Sequence, residues 1–203
     1  MKKFFSVISL QDGKDLKSGR YEAMGNTRLQ MERETCFPII AAMNGYLEAG
    51  EEFSAVVVVQ DNRSSRENLT KFKAEVAAVC EHRGAVCRQI REVWIGDDQS
   101  VGAQVGTFQT LLDCVEDDDE LFFCMTYGTK PLSAAVMMAV QYAYRVKKNT
   151  TIECIVYGEY LWRTDESRIY DMTALVQMDE IVRMLADRGV TDPKSAIDRI
   201  LSL

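Results

Sequence analysis

The sequence predicts an α/β fold, a mostly parallel sheet with helices packed on both faces, and three observations carry that prediction. Short apolar runs alternate with longer stretches whose apolar residues recur every three or four positions, the spacings of a buried strand and of a helix with one buried face. The runs are continuous, VVVV at 56–59 and LFFCM at 121–125 among them, as expected of strands covered on both sides. Strand and helix signals succeed each other as far as residue 157, an order that gives right-handed crossovers between parallel neighbours and a Rossmann-like, doubly wound sheet.

The first strand is expected at 4–10, where FFSVISL follows Met1-Lys2-Lys3. That start has the basic and apolar parts of a signal peptide, but the run stops at Gln11-Asp12 without a small-residue cleavage site. A long connection at 10–26 leads to a helix at 32–49. A strand at 53–60 precedes a helix at 64–83, whose Ser64 or Ser65 stands before Glu67 in the manner of a capped start. A strand at 85–95 is followed by a helix at 99–115, with Ser100 as its cap. The acidic run at 116–120 reads as a solvated turn whose charges guard the next strand, 121–126, from aggregation. Pro131 opens a helix at 131–147, because its missing N–H has no partner to lose in a first turn. The last strand is expected at 151–157. Helices at 174–188 and 192–203 complete the chain, the second with an apolar stripe at Ala196, Ile197, Ile200, Leu201 and Leu203. The predicted organisation is one domain over 1–188 and a C-terminal helical extension over 189–203.

Composition narrows the function. A net charge of −7 argues against a broad basic surface for long nucleic acid, while a few converging cations would still hold a small anion. No apolar stretch has the length of a membrane span, so a cytoplasmic protein without a membrane partner is expected. The six cysteines are scattered without a CxxC pair, and there is one histidine, His82. Reduced core thiols fit that pattern better than a metal site, and neither metal nor cofactor is expected. GxxxxGK[ST], GxGxxG after a strand and GxSxG are all missing, which sets aside P-loop, dinucleotide and serine-hydrolase chemistry.

Doubly wound sheets bind ligands beyond the carboxyl ends of their strands, where strand order reverses. At the end of the 121–126 strand stand Thr126, Tyr127, Gly128, Thr129 and Lys130, with Ser133 one turn into the following helix. Hydroxyls, a flexible backbone, one cation and a helix N-terminus meet there, a chemistry suited to phosphate. Two readings stand side by side: a phosphate cradle, and an ordinary turn in which Thr129 caps the helix and Lys130 is solvated. Gln11 and Asp12 after the first strand, and Asp61, Asn62, Arg63 and Ser64 after the second, are candidates by position, and turn or helix-cap roles suit them equally. The Tyr127 ring could stack on a base or pack at a seam between subunits.

Several segments, in order, resemble one family. Tyr21 and Asn26 in the first loop, Phe53 leading into VVVVQDN, MTYGTKPLSAA at 125–135, IVYGE at 155–159 and the DMTAL run at 171–175 are together similar to CARF proteins, the CRISPR-associated Rossmann fold, and in the last segment to its Csm/Csx branch. The resemblance spans about residues 3–187, and its motifs are short. It implies a homodimer whose two sheets present one shared cleft to a cyclic oligoadenylate, the messenger of type III CRISPR antiviral signalling. Two copies of Lys130, joined by Arg63 or Arg28, would supply cations. Cleavage of such a ring without metal uses a ribose 2′-hydroxyl as nucleophile, so positioning and charge stabilisation by Lys130, Thr129 and Ser133 are the catalytic expectation for a ring nuclease. A non-catalytic sensor linked to, or acting on, a separate effector is the alternative. A scaffold or transcriptional regulator, docking its final helix on a partner, is a third reading, although that helix carries only Lys194 and Arg199 as cations.

Overall fold

The computed structural model describes residues 1–201. Its elements are β1 (Lys2–Val7), β2 (Tyr21–Met24), α1 (Pro38–Tyr46), β3 (Glu52–Gln60), α2 (Arg63–Arg83), β4 (Val86–Ile95), α3 (Val101–Leu112), β5 (Glu120–Cys124), α4 (Lys130–Val146), β6 (Thr151–Leu161), β7 (Glu166–Asp171), α5 (Ala174–Asp187) and α6 (Pro193–Leu201). The strands form one seven-stranded sheet in the order β2-β7-β6-β5-β1-β3-β4. All neighbours pair parallel except β6 and β7.

The central strands show why the fold needs helices on both sides. Phe4, Val57 and Phe122 enter one apolar cluster, with Ile39 and Met43 of α1 and Phe72 and Val76 of α2. Their chain neighbours Phe5, Val58 and Phe123 enter another, with Leu111 of α3, Leu132 and Val136 of α4 and Val176 of α5. Successive strand side chains point to opposite faces, so a continuous apolar strand requires two covers. On the first face Phe4 stacks on Phe122 at 4.4 Å between centroids and meets Phe53 edge-on at 5.5 Å.

Strand order reverses beside β1. The chain runs outward from β1 through β3 to β4, then crosses back to β5 and continues to β6. The switch point therefore lies between the carboxyl ends of β1 and β5.

The expected α/β class and most elements agree with the structure, and the departures have local causes. The helix expected from residue 32 begins at Pro38, with Phe37 extended before it, since a proline biases its predecessor away from helix. β2 lies inside the connection at 10–26 and pairs with β7. Its four residues bury chiefly Tyr21, too short a pattern for periodicity to register. β6 runs on to Leu161 and turns into β7 as a hairpin, so one edge of the sheet departs from the parallel arrangement.

The acidic turn is exposed at Glu116, Asp117 and Asp118, as expected, and departs from expectation at Asp119. Asp119 is buried and pairs with the buried Lys3 at 2.8 Å. Lys3 also donates to the Cys114 carbonyl at 2.9 Å. The predicted stripe of α6 at Ile200, Leu201 and Leu203 falls outside the described side chains. Among the described residues no helix is long and apolar enough to cross a membrane.

Candidate functional site

The loop after β5 sits at the switch point. Gly128 has φ +104, a region that side-chain-bearing residues rarely enter, and a Cβ there would lie 3.1 Å from Val7 Cγ1 of β1. The loop thereby presses onto the end of the neighbouring strand. Thr129 is the N-cap of α4, its Oγ1 accepting from Leu132 N at 3.4 Å and donating to Gln99 Oε1 at 2.6 Å. Thr126 Oγ1 accepts from Gly158 N at 2.8 Å, which fastens the loop to β6.

Tyr127 is committed inside the chain. Its hydroxyl donates to the Cys36 carbonyl at 2.6 Å and its ring meets Phe37 edge-on at 6.2 Å. Burial pushes its pKa well above the ordinary tyrosine value. These contacts make it an anchor for the loop.

What remains open is a set of donors. The backbone N–H groups of Gly128, Thr129 and Lys130 donate to nothing among the described residues, and the Lys130 side chain is exposed without an ion pair. α4 is 17 residues long, so its N-terminus adds the positive end of a full helix dipole. Three amides without an acceptor, a helix N-terminus and a lysine in one short loop are the kinds of donor an anion site uses.

The other candidate residues divide. Asp12 accepts from Ser64 Oγ at 3.0 Å, so the loops after β1 and β3 meet. Asn62 caps α2, accepting from Ser65 N at 2.8 Å. Asp61 pairs with Arg66 at 2.6 Å, and Arg63 with Glu67 at 2.9 Å. Gln11 shares a cleft of about 320 Å³ with Thr126 and Tyr127. Ser133 is half-buried in the first turn of α4. Arg28 lies over the Tyr46 ring at 4.3 Å, occupied away from the loop.

Residues not singled out in the sequence support this edge. Asn68, fully buried, donates to the carbonyls of Ser9 at 2.9 Å and Gln11 at 2.8 Å, fixing the chain just beyond β1. Gln99 receives Thr129. Lys17, Glu159, Tyr160 and Trp162 line the same cleft as Gln11. The one available signal for the last three was the aromatic density of YGEYLW at 157–162.

Burial disfavours the thiolate form of Cys36, Cys87, Cys114, Cys124 and Cys154. Burial pushes Cys36 and Cys87 up to about 11 and Cys154 to about 12. Among the described residues no group of three His, Cys, Asp or Glu side chains could hold a metal ion. No protein-family model matches the chain, and the search of curated proteins finds no match.

Proposed function

We propose that this chain binds a cyclic oligoadenylate, as its resemblance to CARF proteins implies, with phosphates held by the Gly128–Lys130 loop. The observation that carries the reading is the run of three unpaired amides beside Lys130 at the start of α4, at the switch point of a doubly wound sheet. A phosphodiester needs donors and one or two cations, and the loop supplies both without a basic surface elsewhere. Asn26 and Asp171, from two segments that carry the resemblance, hydrogen-bond each other, so those two segments meet in the fold.

Homodimerisation belongs to the same proposal. α3 has no charged residue, and Val101 is 80% exposed on it. With Pro131 and Met138 of α4 it borders an apolar groove of about 530 Å³ that ends beside Gln99. Two copies of a chain carrying −7 meet with least repulsion on a face without charge, and this one adjoins the phosphate loop. A two-fold arrangement there would offer two equivalent loops to a cyclic ligand.

Metal-independent cleavage of the ring is a second activity that the hydroxyl of Ser133 and the ammonium of Lys130 could assist. Thr129 is already engaged by Gln99 and Leu132, which leaves the loop better equipped to bind than to transfer protons.

The test is incubation of the purified protein with cyclic tri-, tetra- and hexa-adenylate without metal, followed by calorimetry and chromatography. Binding of one ring size with a stoichiometry of one ring per two chains is expected. Binding of none of the three would refute the proposal, and appearance of linear product would distinguish ring nuclease from sensor.

A further inference from the structure

The cleft beside the phosphate loop has a composition of its own. It lies beyond the carboxyl end of β5 and along the C-terminal half of β6, between the 11–21 segment and the β6–β7 hairpin, with the buried Tyr21 and Gly158 at its inner end. The Trp162 indole stands at its rim, 66% exposed, and its N–H has no partner among the described residues. Tyr160 meets that indole edge-on at 4.8 Å, and the Tyr160 hydroxyl is held by Asp165. Lys17 Nζ lies 5.6 Å from the centre of the indole ring.

Asp15 is the carboxylate of this cleft and Lys17 its one cation, for Glu159 projects from the other face of β6, that of Tyr157, where it accepts from the Tyr170 hydroxyl at 3.0 Å. One carboxylate and one ammonium leave the lining without the net positive charge that would hold phosphate. The lining suits a neutral planar group that donates hydrogen bonds, and exposed aromatic rings are the surface on which such a group stacks. Thr126 and Tyr127 line the cleft and lead directly into Gly128, so phosphate donors and aromatic rings are joined by two residues of chain.

We infer that the cleft is a base-binding subsite, in which an amino-bearing nucleobase stacks on Trp162 and gives its exocyclic amino protons to Asp15. Lys17 swings from the indole face to admit the base. The inference rests on the nucleotide reading of the Gly128–Lys130 loop, and it adds a recognition element that the loop lacks, since backbone amides and an ammonium do not distinguish one base from another.

The chain has two tryptophans, so Trp94→Phe leaves Trp162 as sole fluorescent reporter. In that background, adenosine 5′-monophosphate is expected to quench the emission saturably, while ribose 5-phosphate and inorganic phosphate are not. Trp162→Ala should weaken adenosine 5′-monophosphate binding by calorimetry about tenfold, the loss typical of a stacking residue. Asp15→Asn should reduce the preference for adenosine over inosine monophosphate. Equal quenching by ribose 5-phosphate, or unchanged affinity in Trp162→Ala, would overturn the inference. If cyclic oligoadenylates fail to bind while adenosine monophosphate still quenches Trp162, the base subsite stands and the cyclic-ligand proposal falls. If a cyclic ligand binds with Trp162 emission and Trp162→Ala affinity unchanged, the reverse holds.

Discussion

Asn26 Nδ2 donates to Asp171 Oδ2 at 2.6 Å, across 145 positions of sequence. The same nitrogen donates to the Tyr46 hydroxyl at 2.9 Å, and Asp171 Oδ1 accepts from both the backbone and hydroxyl of Thr173. Thr173 Oγ1 in turn accepts from Ile155 N at 2.8 Å. One chain of bonds thus ties the first connection to α1, β6 and the start of α5. Asp171→Ala removes the acceptor for three donors at once. A loss of about 2 kcal/mol is expected in urea unfolding, since hydrogen bonds to a charged group are the stronger ones, and an unchanged midpoint would show the network to be idle.

Gly128→Ala places a side chain at φ +104 and against Val7. About 1–2 kcal/mol of destabilisation follows from the strained backbone. The loop must shift to relieve it, so affinity for cyclic oligoadenylate should fall more steeply than stability. Retained affinity in a destabilised protein would place the ligand elsewhere.

Lys130→Ala should separate binding from folding. The side chain is exposed and has no ion pair among the described residues, so the melting temperature is expected to stay put, whereas affinity for a cyclic oligoadenylate should drop by about tenfold or more and lose part of its salt dependence. Calorimetry at two ionic strengths reads both effects.

The Lys3–Asp119 pair is buried, and Asp119 also accepts from the backbone of Glu116 at 2.7 Å. Asp119→Ala leaves the buried Lys3 ammonium with only the exposed Glu116 at 3.3 Å as counter-ion, so it should cost about 3 kcal/mol, the lower end for a broken buried pair. Lys3→Met with Asp119→Leu should cost less than the two single replacements added together, as a double-mutant cycle in denaturant would reveal.

Glu75 supplies a pH dependence. Burial raises its pKa despite hydrogen bonds from Thr35 and the Cys36 backbone. The folded state therefore binds its proton more tightly than the unfolded state. The resulting stabilisation is present in full below the ordinary glutamate range and is lost as pH rises through the folded value. Relative to Glu75→Gln, the wild-type chain should gain stability on acidification from neutral pH toward pH 4. A constant difference between the two would refute the assignment.

Much of this architecture was legible in the chain. VVVV at 56–59 and LFFC at 121–124 read as strands buried on both faces because no polar residue interrupts them. Ser100, Thr129 and Pro131 marked helix starts through chemistry that acts within four residues. β2 and β7 were not legible. Each is a short, half-polar segment, β2 at the edge and β7 next to it, that gains its strand character from a partner, Tyr21 opposite Ser167 and Tyr157 opposite Tyr170.

The candidate site divides along the same line. Local sequence placed Gly128, Thr129 and Lys130 together, because a turn and a helix start are made by neighbours in the chain. Only the tertiary structure turned Tyr127 inward onto Cys36, set Asn68 beneath the end of β1, and brought Trp162 to the cleft that Gln11 lines. Such placements depend on which strands lie side by side. Strand order is decided by how two helical layers cover an apolar sheet, a competition among distant residues that periodicity within a short window does not register.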